Sequence, residues 1–197
     1  MLEETSFISE ARREQIIKAA IEALDDIGYV NMSLAKIAKK AKVSTGLISY
    51  HFEDKEDVLN HTLDYLLKKQ FEYIKERVSK EGSAYDQLIG YIDASLAYQG
   101  THSINNVALI EIIFNARTPD NIPYYKLSGD EEDPLYTYLE GILSHGIKTK
   151  EFSEVEPKNV SIMIQGAIAE SMLINGKQFN LEAYKNDLVK MVTKMVK

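Results

Sequence analysis

The residues with the most distinctive chemistry lie close together, between positions 44 and 52, in the run STGLISYHF. On a helix, successive side chains turn by about 100°, so Ile48 and Phe52 share an inward face. The opposite arc carries small or hydrogen-bonding groups, namely Thr45, Gly46, Ser49 and Tyr50. Such groups suit contacts with base edges and phosphate oxygens. The run therefore predicts a helix that binds nucleic acid.

The charge around this run also favours a polyanionic partner. The protein has a net charge of −7, from 23 basic and 30 acidic residues. Residues 27–52 nevertheless contain no acid and four lysines, which are Lys36, Lys39, Lys40 and Lys42. A positive patch on an acidic body predicts that DNA is bound through this surface, with an affinity that falls as salt rises.

Other kinds of chemistry find little support in the sequence. The absence of cysteine excludes disulfides, thiolate zinc sites and cysteine nucleophiles. No HExxH, GxGxxG, P-loop or GxSxG motif is present, so we expect no enzyme activity, no cofactor and no metal. The sequence begins without a signal-peptide core and has no run of about 18 apolar residues. We therefore expect a soluble, cytoplasmic protein with no membrane partner.

Helical spacing of apolar residues extends through the chain, and strand-like alternation is nearly absent, so we predict an all-α fold of about nine helices. Residues 10–27 form the first helix, which Gly28 ends. Two short helices follow, with Ser33 and Ser44 as their N-caps. Together they make a helix-turn-helix module over residues 1–53.

The remaining helices are predicted to form a second domain over residues 54–197. Asp54 caps a long helix that reaches about residue 80 and links the two domains. Further helices are predicted at 84–99, 103–117, 133–149, 157–175 and 180–196. Residues 118–132, which contain prolines and an acidic run, are predicted to form a mobile loop.

Around the helix-turn-helix the chain resembles the TetR family of transcriptional regulators. The residues that match the family's order and spacing are Ser33, Ile37, Ala38, Ala41, Val43, Ser44, Gly46, Ile48, Tyr50, His51, Phe52, Lys55, Glu56 and Leu59. Two positions depart from the pattern. Lys42 stands where a turn glycine is usual, and Ser49 stands where many members have an aromatic residue, so the base contacts are expected to differ. Beyond residue 60 only the number and length of the helices are similar.

The resemblance implies a ligand-responsive DNA-binding regulator. Such a protein would be a repressor that binds a palindromic operator in double-stranded DNA as a homodimer and is released by a small-molecule effector. The resemblance places Thr45 and Ser49 against the bases. The other residues expected at the DNA are Ser33, Lys42, Ser44, Gly46, Tyr50, His51 and Lys55. The alternative is a helical protein-interaction scaffold with a vestigial helix-turn-helix.

The resemblance also implies roles for the second domain, an antiparallel helical ligand-binding and dimerisation domain. Its middle helices would enclose the effector, with the polar candidates Tyr65, Tyr91, Tyr98, Asn105, Glu111, Asn115, Tyr138, Gln165 and Glu170. Its last two helices would form the four-helix bundle of the dimer. The candidate contacts there are Gly166, Ala169, Tyr184, Leu188, Met191 and Met195.

Overall fold

The computed structural model describes residues 2–78, 82–127, 133–174 and 179–197. In these residues the protein has nine α-helices, one short 3₁₀ helix and no β-strand, which confirms the all-α prediction. The helices are α1 (Leu2–Asn31), α2 (Leu34–Ala41), α3 (Thr45–His51), α4 (Lys55–Arg77), α5 (Ala84–Thr101), α6 (Ser103–Asn115), α7 (Pro134–Lys148), α8 (Pro157–Leu173) and α9 (Leu181–Val196). The predicted ends of α4 near residue 80 and of α8 at residue 175 fall outside the described residues.

Three N-caps fix the starts of α2, α3 and α4 as predicted. Ser33 Oγ accepts a hydrogen bond from a backbone N–H of α2 at 3.4 Å. Ser44 Oγ accepts one from α3 at 3.1 Å, and Asp54 Oδ1 accepts one from α4 at 2.8 Å. Each cap satisfies an N–H that the helix itself leaves without a partner.

Gly28 ends the regular helical backbone of α1, as predicted. It has φ 69° and ψ 168°, a conformation that glycine adopts without strain, and the residues up to Asn31 form a separate short turn beyond this kink. The carboxylate of Glu111, in α6, covers this break. Its Oε2 accepts a hydrogen bond from the N–H of Tyr29 at 2.8 Å, so a side chain from a distant helix satisfies the interrupted backbone.

The chain divides into two compact units whose limits differ from the predicted domain boundary. Unit 1 comprises Met1–Lys68 and Ser103–Ser128, and unit 2 comprises Lys69–His102 and Gly129–Lys197. Helix α6, predicted to belong to the second domain, therefore packs in unit 1 with the helix-turn-helix. The division of functions between residues 1–53 and 54–197 stays a prediction.

The core of unit 1 joins the helix-turn-helix to α6. Ile48 and Phe52 are buried, as the periodicity of α3 predicted. The same core contains Ala108, Leu109 and Ile112 of α6. Because these apolar side chains pack in one cluster, α1, α2, α3, the first part of α4 and α6 form one hydrophobic core.

Helices α5, α7, α8 and α9 build the core of unit 2 together with the last turns of α4. Tyr91 of α5 and Leu139 of α7 are fully buried there. Phe152, which follows α7, packs directly on Gly146. A Cβ built on Gly146 would lie 2.2 Å from the Phe152 ring, so only glycine fits at this contact.

The segment predicted to be a mobile loop has local structure in its described part. Thr118 and Ile122 are joined by a backbone hydrogen bond of 2.9 Å, and Tyr124–Lys126 forms the 3₁₀ helix. The hydroxyl of Tyr124 donates to Asn60 Oδ1 in α4. Residues 128–132 lie outside the described residues, and the mobility of the segment stays a prediction.

Candidate nucleic-acid interface

The turn between α2 and α3 has the geometry that its family resemblance implies. Lys42 is in the left-handed region, with φ 56° and ψ 42°, at the position where glycine is usual. The N–H of Val43 donates to Ala38 O at 3.0 Å and closes the turn. The lysine therefore accepts a backbone conformation that glycine prefers, and its side chain is exposed.

The outward arc of α3 is open to a partner. Thr45, Gly46, Ser49 and Tyr50 are all exposed, and Tyr50 keeps 79% of its surface accessible. The Tyr50 ring meets the His51 ring edge to face, with 4.9 Å between centroids. The exposed hydroxyl groups of this surface are able to hydrogen-bond to base edges and phosphates.

The two capping serines each keep a hydroxyl proton that can be donated. Ser44 is exposed and Ser33 is partly buried. Each Oγ accepts a helix N–H, so its own O–H remains able to donate to a phosphate oxygen. The cap and the predicted DNA contact are therefore compatible at both positions.

Arg13, in α1, fixes the end of α3 and was not found by sequence reasoning. Its guanidinium donates to the carbonyl of His51 and lies 4.5 Å from the centroid of the Phe52 ring. A second guanidinium nitrogen lies 2.8 Å from His61 Nε2. Partial burial, and then the charge of Arg13, lower the pKa of His51. An arginine in an amphipathic helix gives no local sign of such contacts.

Lys55 has a partner inside the protein. Its Nζ donates to the carbonyl of Tyr29 at 3.0 Å and lies 4.2 Å from the centroid of the Tyr29 ring. Burial lowers the pKa of Lys55, although the charge of Glu56 opposes this shift. Both backbone groups of Tyr29 therefore have side-chain partners, because its carbonyl accepts from Lys55 and its N–H donates to Glu111. A phosphate contact by Lys55 stays a prediction.

The four lysines of the positive patch are not equally available. Lys36 Nζ donates to the carbonyl of Asn31 at 2.7 Å. Lys40 forms ion pairs with carboxylates of α1, and its hydrogen bond to Asp26 raises the pKa of Lys40. Lys39 and Lys42 are exposed, and neither forms an ion pair with another described residue. These two therefore carry the most accessible charge of the positive patch.

The nine polar residues predicted to line an effector pocket are divided between the units. Unit 1 contains Tyr65, Asn105, Glu111 and Asn115, and unit 2 contains Tyr91, Tyr98, Tyr138, Gln165 and Glu170. In unit 1, Asn115 Nδ2 donates to the backbone carbonyl of Glu111 at 3.0 Å, and Tyr65 donates to Glu14 at 3.4 Å. These contacts are structural, and an effector role for the residues stays a prediction.

In unit 2 the structure brings three of the candidates together. The Tyr91 hydroxyl donates to Leu135 O at 3.2 Å and accepts from Gln165 Nε2 at 2.7 Å. The Tyr138 ring lies 6.2 Å from the Tyr91 ring, centroid to centroid. Burial, and then the charge of Asp133, raise the pKa of Tyr91, so its phenol stays neutral.

The other two candidates of unit 2 have different surroundings. Tyr98 is buried and stacks on His102, with 4.2 Å between centroids. Glu170 is exposed on α8. Both stay predictions as effector ligands.

A cavity of about 560 Å³ opens between α4, α5 and α7 in unit 2. Its lining residues are Phe71, Gln87, Pro134, Thr137, Tyr138, Gly141 and Ile142. The cavity is wide open to solvent, and its mostly apolar lining with a few polar groups could hold part of a small organic molecule. Tyr138 is the predicted candidate that lines it.

The dimer candidates fall into two groups. Gly166, Ala169 and Met191 are exposed. Leu188 is only 5% exposed and packs in the core of unit 2, and a dimer contact by Leu188 stays a prediction. The apolar stripe of α9 packs on its own unit, with Leu188, Val192 and Val196 buried there.

Tyr184 and Met195 also stay predictions as dimer contacts. Both are partly buried against that core, and the Tyr184 hydroxyl donates to Ala167 O at 2.7 Å. Sequence reasoning missed the exposed apolar residues of α8, which are Ile162, Met163 and Leu173. Their spacing with Gly166 and Ala169 places them on one helix face, which is the signal that could have found them.

Two kinds of site are absent from the described residues. No three histidine or acidic side chains among them are placed to hold a metal ion. Within the same part of the chain, every helix is too short or too polar to cross a bilayer.

Comparison with known proteins identifies the N-terminal module. Residues 16–62 match the family described as "Bacterial regulatory proteins, tetR family". The fatty acid metabolism regulator protein of Bacillus subtilis (strain 168) is 26% identical over 183 residues, covering 90% of this chain and 92% of the relative. The regulator BetI of Yersinia pestis is 40% identical over 68 residues, 34% of each chain.

Solved structures agree with this result. The FadR regulator of Bacillus subtilis in complex with stearoyl-CoA has a TM-score of 0.75 and 26% identity, covering 91% of this chain and 96% of its own. A tetR-family protein from Rhodococcus RHA1, at 16% identity, has the same fold with a TM-score of 0.76 over 94% of this chain and 96% of its own. Residues 16–62 of this chain therefore match the DNA-binding module of tetR-family regulators, and the whole chain is similar in fold to solved regulators of that family.

Proposed function

We propose that the protein is a repressor that binds a palindromic DNA operator as a homodimer and leaves it when a small molecule binds. The observation that carries the DNA-binding role is the exposed arc of α3, with Tyr50 79% accessible, and the exposed lysines Lys39 and Lys42 of the same helix-turn-helix add positive charge. A single helix of seven residues contacts few bases. Two DNA-binding modules related by two-fold symmetry double the number of base contacts, and their symmetry matches that of a palindromic operator.

Selection of genomic fragments on the purified protein, followed by titration of the best fragment at two salt concentrations, tests the DNA-binding role. We expect a palindromic site whose affinity falls as salt rises, because lysines neutralise phosphates. Tyr50→Ala should weaken the complex at least tenfold. Tyr125→Ala, at an exposed tyrosine outside the helix-turn-helix, is the matched control and should change it less than twofold. Enrichment of no sequence would favour the scaffold alternative.

The exposed face of α8 supports the homodimer. Ile162, Met163 and Leu173 are 50%, 61% and 48% exposed, and Gly166 and Ala169 on the same face allow a partner helix to approach closely. An apolar stripe of this kind on a helix surface is typical of a protein interface. We therefore propose that the dimer contact lies on α8, and the exposed Met191 of α9 is a further candidate.

Light scattering at micromolar concentration measures the state of assembly. The wild-type protein should have twice the mass of one chain. Met163→Lys should give single chains, because it places a charge in the proposed contact. Asn186→Lys, at an exposed polar position of α9, is the control and should stay dimeric. A wild-type monomer would contradict the proposal.

The cavity of unit 2 supports a small amphipathic effector. The relative of known structure from Bacillus subtilis holds stearoyl-CoA and is similar over most of both chains. The lining of the cavity here is apolar at Phe71, Tyr138 and Ile142, with Gln87 and Thr137 as polar groups. Long-chain acyl-CoA is therefore the first compound to test, with free coenzyme A as the comparison.

Release of a labelled operator on addition of stearoyl-CoA measures the response. A Cβ at Gly141, which lines the cavity, would meet no atom within 4 Å, so this position accepts larger side chains. Gly141→Leu should fill part of the cavity and raise the concentration of stearoyl-CoA needed to release the operator. Gly141→Ala should leave that concentration unchanged. Equal responses of both variants would place the effector elsewhere.

The effector must favour the released state energetically. The two states differ in the distance between the two DNA-binding modules of the dimer. A ligand shifts the equilibrium between these states only if it binds one of them more tightly than the other. A 100-fold loss of operator affinity requires about 2.7 kcal/mol of such coupling. An effector that binds without changing operator affinity would contradict this mechanism.

A further inference from the structure

Helix α3 lacks every side chain that forms two hydrogen bonds with one base. Its sequence is TGLISYH, without arginine, lysine, asparagine, glutamine, aspartate or glutamate. Guanine is usually recognised by arginine or lysine at O6 and N7, and adenine by asparagine or glutamine at N6 and N7. The recognition helix of this protein has no means of making those paired contacts.

The groups that α3 does present define a different chemistry. Thr45, in the first turn, offers one hydroxyl and one methyl group at an exposed position. Gly46 follows it with no side chain, and a Cβ built there would have its nearest neighbour 3.9 Å away, at Ser44 Oγ. The backbone can therefore come close to the floor of the major groove. A methyl group placed there fits the 5-methyl group of thymine.

The hydroxyls add little discrimination of their own. Those of Thr45 and Ser49 can donate or accept, so a single hydrogen bond from either suits several base edges. His51 is partly buried and its pKa is lowered, so it is neutral at pH 7. A G·C pair opposite this surface would lose water from N7 and O6 without a matching pair of donors, which is unfavourable.

The charged residues near α3 lie outside the helix and are not expected to recognise bases. Lys42 precedes the helix in the turn, and Lys55 follows it and binds the carbonyl of Tyr29. Phosphate contacts fix the position of a protein on DNA but carry no sequence information directly. Sequence discrimination is therefore left to the apolar and single-bond contacts of α3, together with the shape of the DNA.

On the basis of the proposed operator binding, we infer that this protein recognises its operator mainly through thymine 5-methyl groups, with Thr45 as the residue that contacts one of them in each half-site. The half-site contacted by α3 is then rich in A·T pairs. Specificity arises from methyl contact and DNA deformability, without a guanine anchored by two hydrogen bonds.

Base analogues in the selected operator test this inference. Each thymine is replaced in turn by deoxyuridine, which lacks only the methyl group. One position per half-site should weaken binding about fourfold, which corresponds to about 0.8 kcal/mol for a buried group of this size. Substitution in both half-sites should give about sixteenfold. Replacing each guanine by 7-deazaguanine, which removes the N7 acceptor, should change affinity less than twofold.

Two variants assign the methyl contact to Thr45. Thr45→Ser removes the side-chain methyl and keeps the hydroxyl, so it should bind the thymine and deoxyuridine operators equally. Thr45→Val keeps a methyl and removes the hydroxyl, so it should retain the fourfold preference for thymine. Position 45 is exposed, so both variants should fold normally.

Several results would overturn the inference. They are a uniform response to deoxyuridine at all positions, a thymine preference that survives in Thr45→Ser, or a loss above tenfold at any 7-deazaguanine. In each of these cases the protein still binds its operator, and the proposed function stands. Failure to bind any selected DNA would instead contradict the proposed function itself.

Discussion

Replacing Lys55 by methionine separates a structural role for this residue from a role at the DNA. Methionine keeps most of the length of the side chain and removes its charge. In the structure, Nζ of Lys55 donates to the carbonyl of Tyr29 at 3.0 Å and lies 4.2 Å from the ring centroid. We expect Lys55→Met to lower the free energy of unfolding and to leave the salt dependence of operator binding unchanged.

The magnitude follows from the two contacts. A hydrogen bond from a charged group contributes about 1.5–3 kcal/mol, and an exposed cation–π contact about 0.5–1 kcal/mol. The ammonium is partly solvated and its pKa is lowered by burial, which offsets part of this gain. We therefore expect a net loss of about 1–2 kcal/mol. If Lys55 neutralised one phosphate per protomer, the slope of log K against log salt would instead fall by about 1.8 for a dimer.

Urea unfolding measures the free energy of unfolding. Titration of the operator between 50 and 200 mM salt, roughly the range over which phosphate contacts weaken, measures the salt dependence of binding. Lys42→Met is the matched control, because Lys42 is exposed and forms no ion pair with a described residue. It should reduce the slope by about 1.8 and hardly change the free energy of unfolding. The reasoning is refuted if Lys55→Met reduces the slope by this amount and leaves stability unchanged.

Three further substitutions test other contacts. Glu111→Ala should lower the free energy of unfolding by about 1–3 kcal/mol, because it leaves the Tyr29 N–H without its acceptor. Glu111→Gln keeps an acceptor and should lower the free energy of unfolding less. Equal losses of the two variants in urea unfolding would contradict the contact. The pKa of His51 lies below its ordinary value of 6.5, so its contribution to stability is complete above about pH 6.5 and is lost as the pH falls through the folded-state pKa. Unfolding measured from pH 7.5 down to pH 5 should show this loss, and His51→Gln should reduce it. Gly146→Ala should destabilise unit 2 by about 1–3 kcal/mol, because the new Cβ would overlap the buried Phe152 ring. Gly141→Ala, whose Cβ meets no atom within 4 Å, is the control. Equal melting temperatures of the two variants would show that the Phe152 ring moves away without loss of stability.

Local chemistry explains what the sequence predicted well. Ser33, Ser44 and Asp54 cap their helices as expected because an N-cap depends on residues within one turn. The inward face of α3, with Ile48 buried, follows from helical spacing alone. The outward arc of the candidate DNA site could be predicted for the same reason, since the two faces of one helix are complementary.

Contacts between distant segments explain what the sequence did not predict. Periodicity shows that α6 has an apolar face but not that this face packs on α1 in unit 1. The partners of Lys55 and Glu111 depend on the position of Tyr29, which lies 26 residues from one and 82 from the other. The burial of Leu188 within its own unit could not be predicted either, because an apolar stripe does not indicate which surface covers it.

The discontinuous make-up of unit 1 has a consequence for chimeric regulators and for synthesis on the ribosome. Residues 1–53 include every predicted DNA contact but one, yet their core is completed by Ala108, Leu109 and Ile112. A chimera that exchanges only the first 53 residues would join two halves of different cores. A nascent chain, likewise, cannot complete unit 1 until α6 has left the exit tunnel. Exchange of DNA specificity therefore calls for transplanting the surface of α3 alone, or for moving α6 with the module.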